Sequence, residues 1–217
     1  ALERECGGVV CGIDEAGRGP WAGPVVAAAA ILDFDRLPAE LCASLDDSKK
    51  LSAKRRDKLF ADLTAAHDAG MADFAIGLAS VEEIDSVNIL QATFRAMERA
   101  VAALARVPDH ALVDGTGIPA GLPCPARAVP KGDGLSLSIA AASILAKVHR
   151  DRLLVALDRS YPGYGFASHK GYGAASHLAA IADNGPCPEH RRSFSPMRQD
   201  DQKFDFFRKV ELLCLCL

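Results

Sequence analysis

The chain has 217 residues, 49% of them hydrophobic and 24% charged, with a formal net charge of -3. That is enough apolar material for one sizeable core, and it excludes a globally disordered chain. The charge also excludes a uniformly basic nucleic-acid coat, though not a local basic patch.

Gly8 to Ile13 and Val25 to Leu32 are apolar runs separated by a turn containing Gly and Pro, and they read as two core strands. Ser52 to Ala69 reads as an amphipathic helix with a basic first half, and Ala72 to Ala79 as a third strand. Ser80 with Glu83 three residues on is a capping box, predicting a helix that runs to about Arg106. Ala111 to Val113 and Pro125 to Val129 read as short strands. Ser136 to Arg159 predicts a long helix whose centre, IAAASILAKV, is small and apolar enough for deep packing. Pro162 to Tyr172 reads as a functional loop, and Ala174 to Asp183 as a short helix stopped by Asn184-Gly185-Pro186.

Together these elements indicate an α/β domain with a mixed sheet over residues 1–198. Residues 199–217 form a tail of different composition, polar and then rich in Phe, Leu and Cys. Val25 to Leu32 is the longest apolar run and is too short to cross a bilayer. The N-terminal ALERECGG has no apolar signal core, so a cytoplasmic location is expected. The seven cysteines and six histidines lack zinc-like spacing, so reduced thiols are expected, and any bound metal should be held by carboxylates.

Asp14 and Glu15 end the first strand just before Ala16-Gly17-Arg18-Gly19, and Asp114 ends another just before Gly115. Ligands commonly bind beyond strand ends in α/β sheets. Consecutive strand residues face opposite ways, so Asp14 and Glu15 are expected to share a site only if the chain leaves strand geometry there. Asp133, in the flexible Pro130-Lys131-Gly132-Asp133-Gly134, can supply a fourth carboxylate. Such a cluster needs compensation, most simply by hard divalent cations such as Mg²⁺ or Mn²⁺. Two ions about 4 Å apart suit phosphodiester hydrolysis.

Gly17-Arg18-Gly19 lets backbone groups approach a ligand closely with a guanidinium between them, although a plain tight turn has the same signature. Residues 48–58 carry six basic residues (among them Lys49, Lys50, Lys54 and Arg55) against one acid. Residues 125–195 add nine Lys and Arg against five acids. Charge is thus segregated, as binding to a polyanion needs. All three tyrosines lie within 161–172. Tyr161, Tyr164 and Phe166 read as pins holding the loop to the core, Lys170 and Tyr172 as contact residues for a nucleic-acid strand.

The stretches GIDEAGRGPWAGPVVAAAAIL, DSKKLSAKRR, LVDG, VPKGD, SIAAASILAKVHRDR, YPGYGFASHKGY and HRRSF occur in this order between Val9 and Pro196. In this the chain resembles the ribonuclease HII family, with DEAGRGP and HKGY the most specific elements. The resemblance implies a ribonuclease H-like fold: a mixed five-stranded sheet flanked by helices, with a helical C-terminal region. It implies that Asp14, Glu15, Asp114 and Asp133 are catalytic and hold two Mg²⁺ or Mn²⁺ ions. It implies that Gly17, Arg18 and Gly19 contact the ribonucleotide through its 2′-hydroxyl and adjacent phosphates. Tyr172 would pack on the sugar at the DNA side of an RNA–DNA junction, and Lys49 and Lys50 would lie near phosphates. The implied activity is metal-dependent cleavage of RNA in RNA–DNA hybrids and 5′ to single ribonucleotides in duplex DNA. The rival is a catalytically silent hybrid-binding protein, against which all four carboxylates argue. Trp21 departs from the family by its size, where a smaller aliphatic residue is expected. The segment Gln202 to Phe207 loosely resembles peptides that dock on sliding clamps, and a monomer is expected.

Overall fold

The computed structural model describes residues 2–45, 48 and 51–198. Five strands form one sheet: β1 (Val10–Ala16), β2 (Val25–Leu32), β3 (Ala72–Ala79), β4 (His110–Asp114) and β5 (Ala126–Val129). Their order is β3-β2-β1-β4-β5. β1 is antiparallel to β2 and β2 to β3, whereas β4 runs parallel to both β1 and β5. The mixed sheet and flanking helices match the fold expected from the resemblance. The parallel half matters most for function, because β1, β4 and β5 all end on the same edge.

β2 is buried along its whole length, which its VVAAAAIL composition permits. Its alternation divides the core into two layers. Ala28, Ala30 and Leu32 pack with α3 (Ala53–Asp68) and α6 (Leu137–Ser160), while Val25, Ala27, Ala29 and Ile31 pack with α4 (Val81–Val87) and α5 (Ile89–Ala102). The alanines of α6 let the helix approach the sheet closely. At Gly12 of β1 a Cβ would lie 2.2 Å from the backbone of Ser138 and Ile139, so only glycine admits the start of α6 there. The short N-terminal helix α1 (Leu2–Cys6) supplies Glu3, whose buried carboxylate accepts from Ser136 Oγ at 2.7 Å and Ser138 N at 2.9 Å at the same helix start. A carboxylate is well placed at that positive helix end.

Three expectations are corrected. The helix predicted from Ser80 to about Arg106 is two helices, α4 and α5, broken at Asn88. Asn88 takes a φ of 73°, and its side chain accepts from Leu90 N and Gln91 N, capping the second helix. The first strand continues through Asp14 and Glu15 to Ala16, so the chain does not leave strand geometry at the carboxylates; the Glu15 charge nonetheless acts on Asp14, so sharing a site at the strand end does not require leaving it. The 162–172 segment contains one helical turn, α7 (Phe166–His169). Two further elements in the described residues, α1 and α2 (Ala39–Ser44), are too short to show a period in sequence.

Beyond α6, α7 and α8 (Ala175–Asn184) close a third apolar cluster of Leu154, Tyr164, Phe166, Ile181 and Met197. Tyr164 and Phe166 are buried there, as pins should be. No described helix is long and apolar enough to cross a membrane. The tail from residue 199, including the 202–207 segment, lies outside the described residues.

Candidate active site

The parallel register aligns Ile13 with Val113, so Asp14 and Asp114 are the next residues along adjacent strands. β5 aligns Val129 with Asp114, and the chain then turns through Gly132–Gly134, which carries Asp133. Gly132 N donates to Asp114 Oδ1 at 2.7 Å, tying that turn to the end of β4. Candidate carboxylates from three strand ends thus gather on one edge of the sheet.

Their environments differ. Asp14 is only 4% exposed. Burial lifts its pKa well above the ordinary carboxylate value, with the nearby Glu15 and Asp114 charges adding to the rise; the Glu15 N–H and the Ser143 hydroxyl oppose it. Glu15 is half-buried, with Oε1 3.4 Å from Arg18 Nη1. Asp114 and Asp133 are half-buried. The set fits a hard divalent cation by donor chemistry, all oxygen, and by the excess negative charge around Asp14. Among the described residues, no three His, Cys, Asp or Glu side chains are already drawn together as a metal cage.

The Ser143 hydroxyl, on α6 behind the sheet, bonds Asp14 and also lies 2.7 Å from the buried Ser48 hydroxyl. Arg56 also holds Ser48, donating to its carbonyl at 2.9 Å and to Leu51 O at 2.6 Å. The start of the basic run is therefore anchored beside Asp14. Lys49 and Lys50 themselves lie outside the described residues.

The Gly17-Arg18-Gly19 turn leaves β1 with Gly17 at a φ of 98°, and Arg18 and Gly19 are exposed. Tyr172 is 46% exposed, and a Cβ on Gly19 would sit 3.8 Å from its ring. The turn and the tyrosine are therefore neighbours. Lys170 is less free than a contact residue should be, because its ammonium donates to Ala167 O within its own loop. Trp21 packs its ring against His177 at a centroid distance of 5.4 Å and against the backbone of Gly173.

Sequence reasoning missed the residues beneath this surface. Arg150 and Arg191 are 1% and 0% exposed. Arg150 donates to Ala22 O, Pro24 O and Lys170 O, and Arg191 to Gly17 O, Arg18 O and Gly23 O. Burial pushes both pKa values down, Arg150 to about 10 and Arg191 to about 9, the latter also through the Arg150 charge. Both remain charged at neutral pH. Behind Tyr172 lies a buried histidine chain: His177 Nδ1 donates to Tyr172 O at 2.9 Å, and its Nε2 is 3.0 Å from His190 Nε2. Only the HRDR and HRRSF strings hinted at these residues, and charged strings ordinarily signal a surface.

Comparison with known proteins agrees with this architecture. The profile of the Ribonuclease HII family matches residues 11–197. Ribonuclease HII of Paramagnetospirillum magneticum is 59% identical over 199 residues, covering 92% of this chain and 96% of the relative. Among solved structures, ribonuclease H2 from Pyrococcus horikoshii OT3 superposes with a TM-score of 0.73 at 28% identity, covering 91% of this chain and 99% of that one. The ribonuclease HII of a PCNA:RNase HII complex from Archaeoglobus fulgidus gives a TM-score of 0.67 at 28% identity, covering 88% and 97%. With the family profile matching residues 11–197 and the fold and sequence agreeing over nearly the whole matched length, the chain belongs to the ribonuclease HII family of divalent-metal-dependent ribonuclease H endonucleases.

Proposed function

We propose that this protein hydrolyses the RNA strand of RNA–DNA hybrids and, in duplex DNA, cuts the phosphodiester on the 5′ side of an embedded ribonucleotide, leaving 3′-hydroxyl and 5′-phosphate ends. The observation that carries the reading is the meeting of Asp14, Asp114 and the Asp133 turn on one sheet edge, with the Gly17–Gly19 turn beside them.

In this reading Asp14, Glu15, Asp114 and Asp133 hold Mg²⁺ or Mn²⁺. Bound there, such ions would supply activation of the attacking water and charge stabilisation at the departing 3′ oxygen, so no protein nucleophile would be needed. The chain's own residues supply position. Ser143 bonds the Asp14 carboxylate and Gly132 N bonds that of Asp114, which orients both donors before any ligand arrives. The Gly17-Arg18-Gly19 turn reads the 2′-hydroxyl, the group by which RNA differs from DNA on the sugar. Tyr172, exposed beside Gly19, packs on the neighbouring deoxyribose, where a 2′-hydroxyl would clash. The protein acts as a monomer in the cytoplasm. The 202–207 segment docks on a sliding clamp, in keeping with the Archaeoglobus fulgidus complex.

The test is a labelled DNA duplex holding one ribonucleotide, incubated with Mg²⁺, Mn²⁺ or EDTA. A single metal-dependent cut 5′ to the ribonucleotide is expected. Cleavage of a long hybrid without that cut would remove the junction specificity, and tight binding without any cleavage would favour a silent binder.

A further inference from the structure

The Gly17–Gly19 turn and Tyr172 belong to segments more than 150 residues apart, yet the same small framework supports both. Arg191 Nη2 donates to Gly17 O at 2.6 Å and Nη1 to Arg18 O at 3.0 Å. Arg150 Nη1 donates to Lys170 O at 3.0 Å, two residues before Tyr172, while its Nε and Nη2 hold Pro24 O and Ala22 O. The 21–24 segment lies between them: Trp21 N donates to Gly171 O at 2.8 Å, and Arg191 N to Trp21 O at 2.8 Å. Arg150 also packs directly beneath the turn, since a Cβ on Gly17 would lie 2.0 Å from its Nε.

Among the described residues, all seven side-chain hydrogen bonds of the two arginines go to backbone carbonyls. A trans peptide points its C=O and the following N–H in opposite directions. Drawing the Gly17 and Arg18 carbonyls inward therefore turns the Arg18 and Gly19 N–H groups outward. Among the described residues, neither N–H has an acceptor. Two guanidinium charges below and two outward donors above make a seat for a phosphate oxygen or a sugar hydroxyl. Their charge is weakly screened because it is buried.

We propose that Arg150 and Arg191 are positioning residues: Arg191 holds the ribonucleotide-reading turn, which both substrates use, and Arg150 sets the span from that turn to Tyr172, and thereby the preference for a ribonucleotide–deoxyribonucleotide junction over a uniform hybrid. This rests on the junction reading given above. Arg191 orients the turn itself, and Arg150 fixes where Tyr172 stands relative to it. Lysine keeps the charge at either site but lacks the planar fork that satisfies three carbonyls at once.

The experiment compares wild type, R150K and R191K on a single-ribonucleotide duplex and on a uniform hybrid. R150K lowers the junction-to-hybrid ratio of kcat/KM by about tenfold or more, because a small displacement of one contact spoils a two-point fit. Its rate on uniform hybrid falls much less than its rate at the junction, since β1 and β4 carry the carboxylates and only the junction needs the turn and Tyr172 at once. R191K raises KM on both substrates with little change in kcat. A merely structural role would lower both rates in parallel, so an unchanged ratio in R150K overturns the proposal. Should R150K not fold, G171A carries the same measurement with both arginines intact. Its Cβ would lie 2.5 Å from Ala22 O and displace the Tyr172 segment, and an unchanged ratio there overturns the proposal equally. Wild-type protein that fails to cut at the junction removes the underlying reading as well, whereas wild-type cutting with an unchanged variant ratio removes only the role of the arginines.

Discussion

Burial and the charges of Glu15 and Asp114 lift the Asp14 pKa, so an ionised Asp14 carries a repulsion that a cation or a neutral side chain relieves. Asp14→Asn is therefore expected to keep the fold, with a thermal midpoint in EDTA equal to or above that of wild type, while cleavage falls by about 100-fold or more if Asp14 holds the metal. Adding Mn²⁺ should raise the wild-type midpoint and leave that of the variant unmoved, because a ligand that binds only the folded state stabilises it. Wild-type-like turnover in D14N, or an equal Mn²⁺ response, would contradict the metal-ligand role. At this scale the sequence was informative where acids ended apolar runs before glycine, as at Asp14 and Asp114. It was silent on Ser143, an isolated hydroxyl in an apolar helix, and on Arg150 and Arg191. Nothing local marks an arginine for burial when its carbonyl partners come from segments as much as 174 residues away.

The elements themselves were legible where period and burial agree. β2 and β3 have the ends read from their apolar runs, and α3 begins one residue after the Ser52 start read from sequence, Ser52 itself being its N-cap. The break at Asn88 was not, because it contains neither Gly nor Pro and apolar spacing continues across it. The C-terminal elements are joined by histidines whose tautomers the backbone dictates. Tyr172 O can only accept, so His177 carries its proton on Nδ1 and accepts at Nε2; Cys187 N donates to His190 Nδ1, so His190 donates from Nε2. A proton added to His177 would set two N–H groups head to head across 3.0 Å. Burial accordingly lowers both pKa values from 6.5 to about 4, that of His190 further through the His177 charge. The unfolded chain takes up these protons first, so their stabilising effect is complete above pH 6.5 and is lost as the pH falls towards 4. Between those limits two such histidines contribute a slope of at most about 2.7 kcal/mol per pH unit. Urea midpoints at pH 7 and pH 5 should show this loss, and H190Q should flatten it. An identical slope in wild type and H190Q would sink the account.

For the whole molecule, a net charge of -3 must coexist with a polyanionic substrate, and the distribution of charge decides whether it can. On α3, Lys58 bonds Asp62 at 2.6 Å and Arg56 is occupied by the Ser48 and Leu51 carbonyls. Lys54 and Arg55, by contrast, are exposed on the first turn of the helix. That turn follows Ser48, which is tied through Ser143 to Asp14, so the two cations stand at the approach to the carboxylate edge. Cations there compensate phosphates that the carboxylates would otherwise repel. If both contact the nucleic-acid backbone, each phosphate neutralised releases condensed counterions, and the logarithm of affinity falls with that of salt by about 0.9 per contact. K54A/R55A should therefore weaken hybrid binding several-fold near 0.1 M salt and reduce the magnitude of the salt slope by about two. Its kcat should be unchanged, since neither residue reaches the strand ends. Binding titrations of a catalytically silenced D14N background from low to moderate salt give the slope directly. A variant with the wild-type slope would place the substrate on another face and leave the charge of α3 as a solvated surface.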